Sequence, residues 1–408
     1  MAGGKAFEYS VRDSGGKVVK GRIEASNEAA VANRLRKMGL TPLSIGAVQN
    51  TGFQREITFG GLGQKITLKD MAIMARQLST MIGAGLSLLR SLTILSEQTE
   101  SKPLARVLVQ VRGEVEAGSS FSGGLAHHPE TIPPLMINMV RAGEVGGFLD
   151  GVLMSIADNF EAEVRLKAKI KSAMTYPIVV FCIAILAVVG MLIFIVPVFA
   201  NMFASLGGEL PLPTRILVMT ADVMKIVGPV LVVVLVVFTA WWRKHKNDLA
   251  VRERVDPLKL KLPVFGKLFQ KVAVARFTRN FGTMIHAGVP ILQALDIVGE
   301  TSGNQVVAHA CKDISESVRS GRSLTGPLSE HPVFPPMVVQ MMAVGEDTGA
   351  LDAMLEKIAE FYDEEVETTT EQLTSLIEPL MITVLGGIIG SMIVALYMPL
   401  FSIFDQIK

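Results

Sequence analysis

The chain has 408 residues, half of them hydrophobic and 19% charged, with a formal net charge of +1. That length has room for two or three domains, the apolar balance suits a membrane protein carrying soluble mass, and near-neutrality excludes general attraction to nucleic acid. Two cysteines, Cys182 and Cys311, exclude a disulfide framework and both read as small buried hydrophobes.

Residues 1–48 read as a small α+β module. Phe7 to Val11 alternates, Ser14-Gly15-Gly16 turns, and Lys17 to Ala25 alternates again, the pattern of a β-hairpin. Asn27 to Met38 has helical spacing, with Ser26 as a cap and Gly39 as a stop, and Thr41 to Ile45 reads as a returning strand. The opening MAGGKAFEYS has no apolar core of a signal peptide, so membrane entry is expected through an internal span. Residues 49–66, glycine-bearing and poor in apolar side chains, read as a flexible linker.

Residues 67–172 and 268–376 read as two copies of one helical unit. Met74–Gly85 (MARQLSTMIGAG) and Phe277–Gly288 (FTRNFGTMIHAG) share six of twelve positions at an offset of 203. Gly118 recurs as Gly321 and His128-Pro129 as His331-Pro332; one residue is then lost. Gly143-Glu144 recurs as Gly345-Glu346, Leu149-Asp150 as Leu351-Asp352, Pro177 as Pro379 and Pro197 as Pro399. Met71, Met74, Leu78, Met81 and Ile82 in one copy, and Phe277, Phe281, Met284 and Ile285 in the other, follow the three-and-four spacing of a buried helical stripe. Glycines stop these helices, and each copy reads as a compact helical bundle.

Three stretches are long and apolar enough to cross a bilayer: residues 175–199, 214–242 and 379–400, with an outer loop at 200–213. Arg165, Lys167, Lys169 and Lys171 precede the first; Arg243, Lys244 and Lys246 follow the second; only Arg215 and Lys225 lie between. This bias places the N-terminus and both repeats in the cytoplasm and the C-terminus outside. Trp241 and Trp242 mark the inner headgroup zone, and Asp222 and Lys225 form an expected pair at the outer end. Gly386 and Gly390 form a GxxxG stripe suited to helix packing.

Chemistry is sparse. Gly60 to Thr67 (GGLGQKIT) is not a phosphate-binding loop, because Lys65 follows Gln64 and no strand pattern precedes it. His127, His128 and His331 lack partners at metal-ligand spacing and read as turn residues. No catalytic, cofactor or metal residues are assigned. The Gly-Glu-x-x-Gly-x-Leu-Asp segments offer Glu144 and Asp150, and Glu346 and Asp352, for a cation or for acid–base work. The plainer expectation is a helix stop at the glycines, with Asp150 and Asp352 capping the next helix. The copies diverge before their spans: Arg165–Lys171 is basic, whereas the second copy has Glu356, Glu360, Asp363, Glu364, Glu367, Glu371 and Glu378, most of them on one helical face as an acidic stripe. Glu364, Glu367 and Glu371 are candidate contacts for a basic partner, including the Arg165–Lys171 helix itself. Arg34, Arg36 and Lys37 of the N-terminal module are candidate partner contacts as well.

The module ending GLTPLSI, the two Arg-x-x-x-x-Met-Ile-x-Ala-Gly helices, the Gly-Glu-x-x-Gly turns, the Glu209-Leu210-Pro211-Leu212-Pro213-Thr214 loop and Glu378-Pro379 together resemble the type II secretion F protein family. The resemblance spans nearly the whole chain. It implies a non-enzymatic platform in the cytoplasmic membrane, with two cytoplasmic helical bundles and three spans. It further implies oligomers, contact with a hexameric ATPase, with other inner-membrane components, and with pilin or pseudopilin subunits. The competing class, a membrane transporter or permease subunit, would need a substrate path marked by ionisable or broken intramembrane helices. Three spans uncharged at their centres argue against it.

Overall fold

A computed structural model describes residues 5–12, 18–25, 30–32, 35, 41–47, 66–205, 210–246 and 248–406. The chain divides into two units, 1–65 and 66–408. In the first unit, β1 (Lys5–Arg12), β2 (Val18–Ala25) and β3 (Thr41–Ala47) form an antiparallel sheet in the order β2-β1-β3. Phe7 opposes Ile23 in one ladder and Ala47 in the other, with a register shift between Ser10 and Val11. Val31 and Leu35 are buried, whereas Ser26, Arg34, Arg36, Lys37 and Gly39 lie outside the described residues.

The second unit is helical throughout its described residues. Its first repeat comprises α1 (Leu68–Gly83), α2 (Leu88–Gln98), α3 (Lys102–Glu116), α4 (Phe121–Ala126), α5 (Pro134–Gly146) and the start of α6 (Leu149–Gly190). Thr67 opens α1 with a capping box: Asp70 N–H donates to its Oγ1 at 3.2 Å and Thr67 N–H donates to Asp70 Oδ2 at 2.8 Å. Met71, Met74 and Leu78 are buried as their spacing requires, each worth about 1.5–3 kcal/mol when removed from water. The second repeat uses α10 (Phe265–His286), α11 (Ile291–Thr301), α12 (Gln305–Arg319), α13 (Thr325–Glu330), α14 (Pro336–Thr348) and the start of α15 (Leu351–Gln406). Here Phe277, Phe281 and Met284 fill the equivalent stripe.

The helix stops account for much of the repeated sequence. Gly85 and Gly288, Gly118 and Gly321, and Gly147 and Gly349 occur in pairs, and all six have φ between 71° and 96°. A side chain resists that region, so both copies need glycine there. After α1, Gly85 N–H reaches Ile82 O at 2.9 Å and Leu86 N–H reaches Met81 O at 3.0 Å; Gly288 and Val289 repeat the bonds to Ile285 and Met284. This is the paired bonding that satisfies the last carbonyls of a helix. Most buried apolar residues of both repeats form one contiguous cluster, and Leu166, Leu268, Val366 and Leu373 form a smaller second one.

No helix boundary separates repeat from span. The helix α6 continues into a π-helical turn (Met191–Ile195) and α7 (Val196–Ser205), and α15 runs unbroken through Pro379 and Pro399. The divisions expected at 172–175 and 376–379 therefore fall inside continuous helices, and the expected outer loop at 200 begins as helix. Val196 N–H bonds back to Met191 O across the wide turn, just ahead of Pro197, which has no N–H to give and would crowd the carbonyl four residues earlier. The next helix, α8 (Leu212–His245), starts two residues before Thr214, with Pro213 in its first turn where a missing N–H costs nothing.

Among the described residues, three helices are long and apolar enough to cross a membrane: Leu149–Phe203, Leu212–His245 and Leu351–Pro399. Leu192, Val196, Ala221, Met392 and Leu396 pack the three together at one end, where buried Thr214 Oγ1 donates to Ala395 O. At the other end α8 separates from its neighbours: Val230 to Phe238 is exposed on every face. Cys182 is exposed on the first span rather than buried, because no protein neighbour covers that face. Cys311 is buried as expected, and burial pushes its thiol well above the usual range.

Between α8 and α10 lies α9 (Leu249–Lys261). It joins α10 through a tight turn at Pro263-Val264-Phe265, with Val264 at φ 71° and Phe265 N–H bonded to Pro263 O at 2.8 Å. A β-branched residue in that conformation is strained.

Candidate functional site

Both repeats carry an arginine on their first helix and an acidic partner on their last. In the first, Arg76 Nε donates to Glu161 at 2.7 Å and its Nη2 reaches Asp158 at 2.5 Å. These bonds hold the Arg76 guanidinium above its usual pKa and the Glu161 carboxyl below its own, Arg76 being the largest cause. In the second, the equivalent Arg279 pairs with Asp363, the counterpart of Glu161. Arg76 and Arg279 are the arginines of the repeated motif, so the sequence displayed one half of each pair. The acidic halves lie at the second offset of 202 and differ in type, which hid them.

The recurring glutamates perform a task different from both sequence readings. Glu144 accepts hydrogen bonds from Phe121 N–H at 2.5 Å and Ser122 N–H at 3.0 Å. Glu346 accepts from Leu324 N–H, the counterpart of Phe121, at 2.8 Å. Each carboxylate thus covers unpaired N–H groups at the start of a short helix, α4 or α13, where negative charge is favoured. Gly143 and Gly345 sit where the chain folds back: a Cβ there would lie 3.0 Å from Val152 Cγ2, or 3.0 Å from Leu351 Cα.

Asp150 and Asp352 are corrections in detail. They occupy the first turns of α6 and α15, and Phe148 stands at the N-cap of α6 with no side-chain bond. The Asp352 carboxyl is held below its usual pKa, first by the Ala353 N–H and then by His286, whose Nδ1 is 3.3 Å away. Among the described residues no group of three His, Cys, Asp or Glu is placed to hold a metal ion. His127 Nδ1 lies 2.6 Å from Glu114 and His331 Nε2 lies 3.0 Å from Asp313. The carbonyls of His128 and His331 accept turn bonds, from Ile132 N–H at 2.8 Å and Phe334 N–H at 3.0 Å.

The acidic stripe of α15 is partly consumed inside the chain. Lys169 of α6 pairs with Glu367. Arg279 of α10 takes Asp363, and beside the stripe Lys271 reaches Glu365 at 2.5 Å and Thr369 Oγ1 at 2.7 Å. Glu364 and Glu371 point outward and exposed. Gly386 and Gly390 face open space, with nothing within 4 Å of a Cβ at either. Arg34, Arg36 and Lys37 are outside the described residues.

The seam between the repeats carries polar contacts beside its apolar ones. Buried Asn159 of α6 donates to Asn280 Oδ1 and Thr283 Oγ1 of α10, both at 3.1 Å. Gln293 Nε2 donates to Asn138 at 3.0 Å, and Arg276 lies 3.4 Å from Glu163. Beside Asn159 opens a cleft of about 350 Å³, lined by Asp158, Asp352, Glu356, Glu360 and Asp363 against Arg165 and Arg279. Carboxylates outnumber guanidinium groups there, so the cleft is acidic and suits a basic side chain. Asn159 has no polar counterpart in the second copy, where Phe361 stands, so internal repetition gave no signal for this seam.

The chain matches a model of the type II secretion system protein F at residues 74–197 and again at 277–399, and a model of that protein's N-terminal domain at residues 1–46. It is 43% identical to the type IV pilus assembly protein PilC of Thermus thermophilus, over 98% of this chain and 99% of the relative. Identity to the PilC of Myxococcus xanthus is 41%, over 98% of this chain and 96% of the relative. Identity to the type II secretion system protein F of Vibrio cholerae is 31%, over 97% of both. With both repeats and the N-terminal segment matched in order, the chain belongs to the type II secretion system protein F family.

Proposed function

We propose that this protein is an assembly platform in the cytoplasmic membrane for a type IV pilus or a type II secretion pseudopilus. Its part is to couple a cytoplasmic ATPase to insertion of pilin-like subunits into the filament. The observation that carries this reading is full-length similarity to proteins named for pilus assembly and for secretion, on a frame of two helical repeats joined to three apolar helices. The protein is not itself an enzyme in this reading; hydrolysis belongs to the partner. Basic side chains around the first two spans support cytoplasmic repeats and an outside C-terminus.

Continuity of α6 and α15 from repeat to span supports mechanical coupling, because a rigid helix transmits a push at one end to the other. The acidic cleft and the outward Glu364 and Glu371 supply a surface for a basic segment of a partner, and the open Gly386–Gly390 stripe supplies one for a second copy or a pilin helix. Charge reversal at Glu364 and Glu371 should weaken ATPase retention by the purified full chain. Unchanged retention and assembly would remove this face from the proposal. Deleting residues 1–64 tests the contact assigned to Arg34, Arg36 and Lys37 in the same way.

A further inference from the structure

The basic pocket at the inner end of α8 has no role in the platform reading. It is about 340 Å³ and is formed by Trp242, Lys246, Arg252, Lys259 and buried Asp256. Asp256 is only 2% exposed, and its carboxylate is fully engaged. It accepts from Gln305 N–H at 3.0 Å, from Lys259 Nζ at 2.9 Å, and lies 3.6 Å from Arg252 Nε. One buried carboxylate therefore fixes two cations at the pocket wall, and Lys246 adds a third that is exposed and makes no ion pair among the described residues. Three cations against one carboxylate leave the pocket an anion receptor.

Its location selects the anion. The pocket begins where the apolar run of α8 ends, at the tryptophan whose ring favours the headgroup zone. Directly along the same helix, Val230 to Phe238 presents apolar side chains on every face, a track for acyl chains. We infer that this pocket binds the phosphodiester headgroup of an anionic phospholipid, whose acyl chains lie along α8. Because α9 packs on α10 and α12 of the second repeat, the bound lipid would fix the angle between α8 and that repeat. The inference stands independently of the platform assignment.

The chain has two tryptophans, Trp241 and Trp242, so its indole fluorescence reports this end of α8. The full chain is reconstituted in phosphatidylcholine bilayers, and brominated phosphatidylglycerol or brominated phosphatidylcholine is titrated as quencher. The expected result is preferential quenching by phosphatidylglycerol. The preference should fall roughly fivefold in Lys246→Gln and roughly thirtyfold in Lys246→Gln/Lys259→Gln, at the ordinary contribution of one basic side chain each. It should be kept in Lys259→Arg and in Arg254→Gln, an exposed charge of α9 outside the pocket. Equal quenching by both lipids, or an equal loss in Arg254→Gln, overturns the site. Inorganic phosphate at 10-fold excess over lipid that abolishes the preference would make it a free-phosphate site and overturn the lipid assignment.

Discussion

Replacing Glu144 by Ala removes two charge-assisted hydrogen bonds from the first turn of α4, those of Phe121 and Ser122. Each such bond is worth about 1.5–3 kcal/mol where desolvated. Both are only partly buried, so water recovers some of that, and a local loss of about 2–3 kcal/mol follows for the pair. Glu346→Ala removes one bond, that of Leu324, and should cost about 1–1.5 kcal/mol. Hydrogen exchange of the full chain in bilayer discs reads this directly. Peptides spanning residues 119–126 should exchange roughly 30- to 150-fold faster in Glu144→Ala, and those spanning 322–330 roughly 5- to 10-fold faster in Glu346→Ala. Unchanged exchange in both variants would refute the capping assignment. So would a chelator that reproduced the Glu144→Ala effect on wild-type protein, since the carboxylate would then be holding a cation.

Gly345→Val should destabilise the second repeat by about 1–3 kcal/mol, because its side chain must displace Leu351 backbone and Met354; thermal unfolding in detergent checks this against the open site Gly151→Val, which should be silent. The Arg76–Glu161 pair should contribute about 1 kcal/mol after screening, being about one-third exposed. Because the Glu161 carboxyl is depressed when folded, this contribution is present above the unfolded carboxylate value of about 4.3 and is lost as pH falls through the lower folded value. Arg76→Met should flatten that acid limb of a stability–pH curve, and an unchanged limb would contradict the pairing. Asn159→Leu should loosen the seam between the repeats by leaving Asn280 and Thr283 short of a donor, at about 1–3 kcal/mol. Cross-linking yield between engineered cysteines on α6 and α10 measures that loosening.

The helices, their order and their stops were legible because internal repetition acts as a built-in comparison. A glycine that recurs at the same point of both copies marks a backbone requirement, as the positive φ angles at Gly85 and Gly288 make plain. The continuity of repeat and span was not legible, since a change in composition at residue 172 looks like a boundary although the backbone hydrogen bonding continues. Nor was the partner of Glu144: it binds main-chain N–H groups 22 and 23 residues away, and main-chain donors leave no mark in a sequence. The acidic stripe was legible as a stripe, but the pairing of its Glu367 with Lys169 and its Asp363 with Arg279 depends on how α6 and α10 lie against α15, which periodicity does not encode. Asn159 and Asn280 stood as unremarkable polar residues until packing brought them together.

The platform role is tested most directly by purifying the tagged full chain from its native membrane and identifying what it retains. A hexameric ATPase and pilin-like subunits should be retained, with ATPase retention reduced by charge reversal at Glu364 and Glu371. Retention of neither partner, together with solute movement by the chain reconstituted alone, would contradict it.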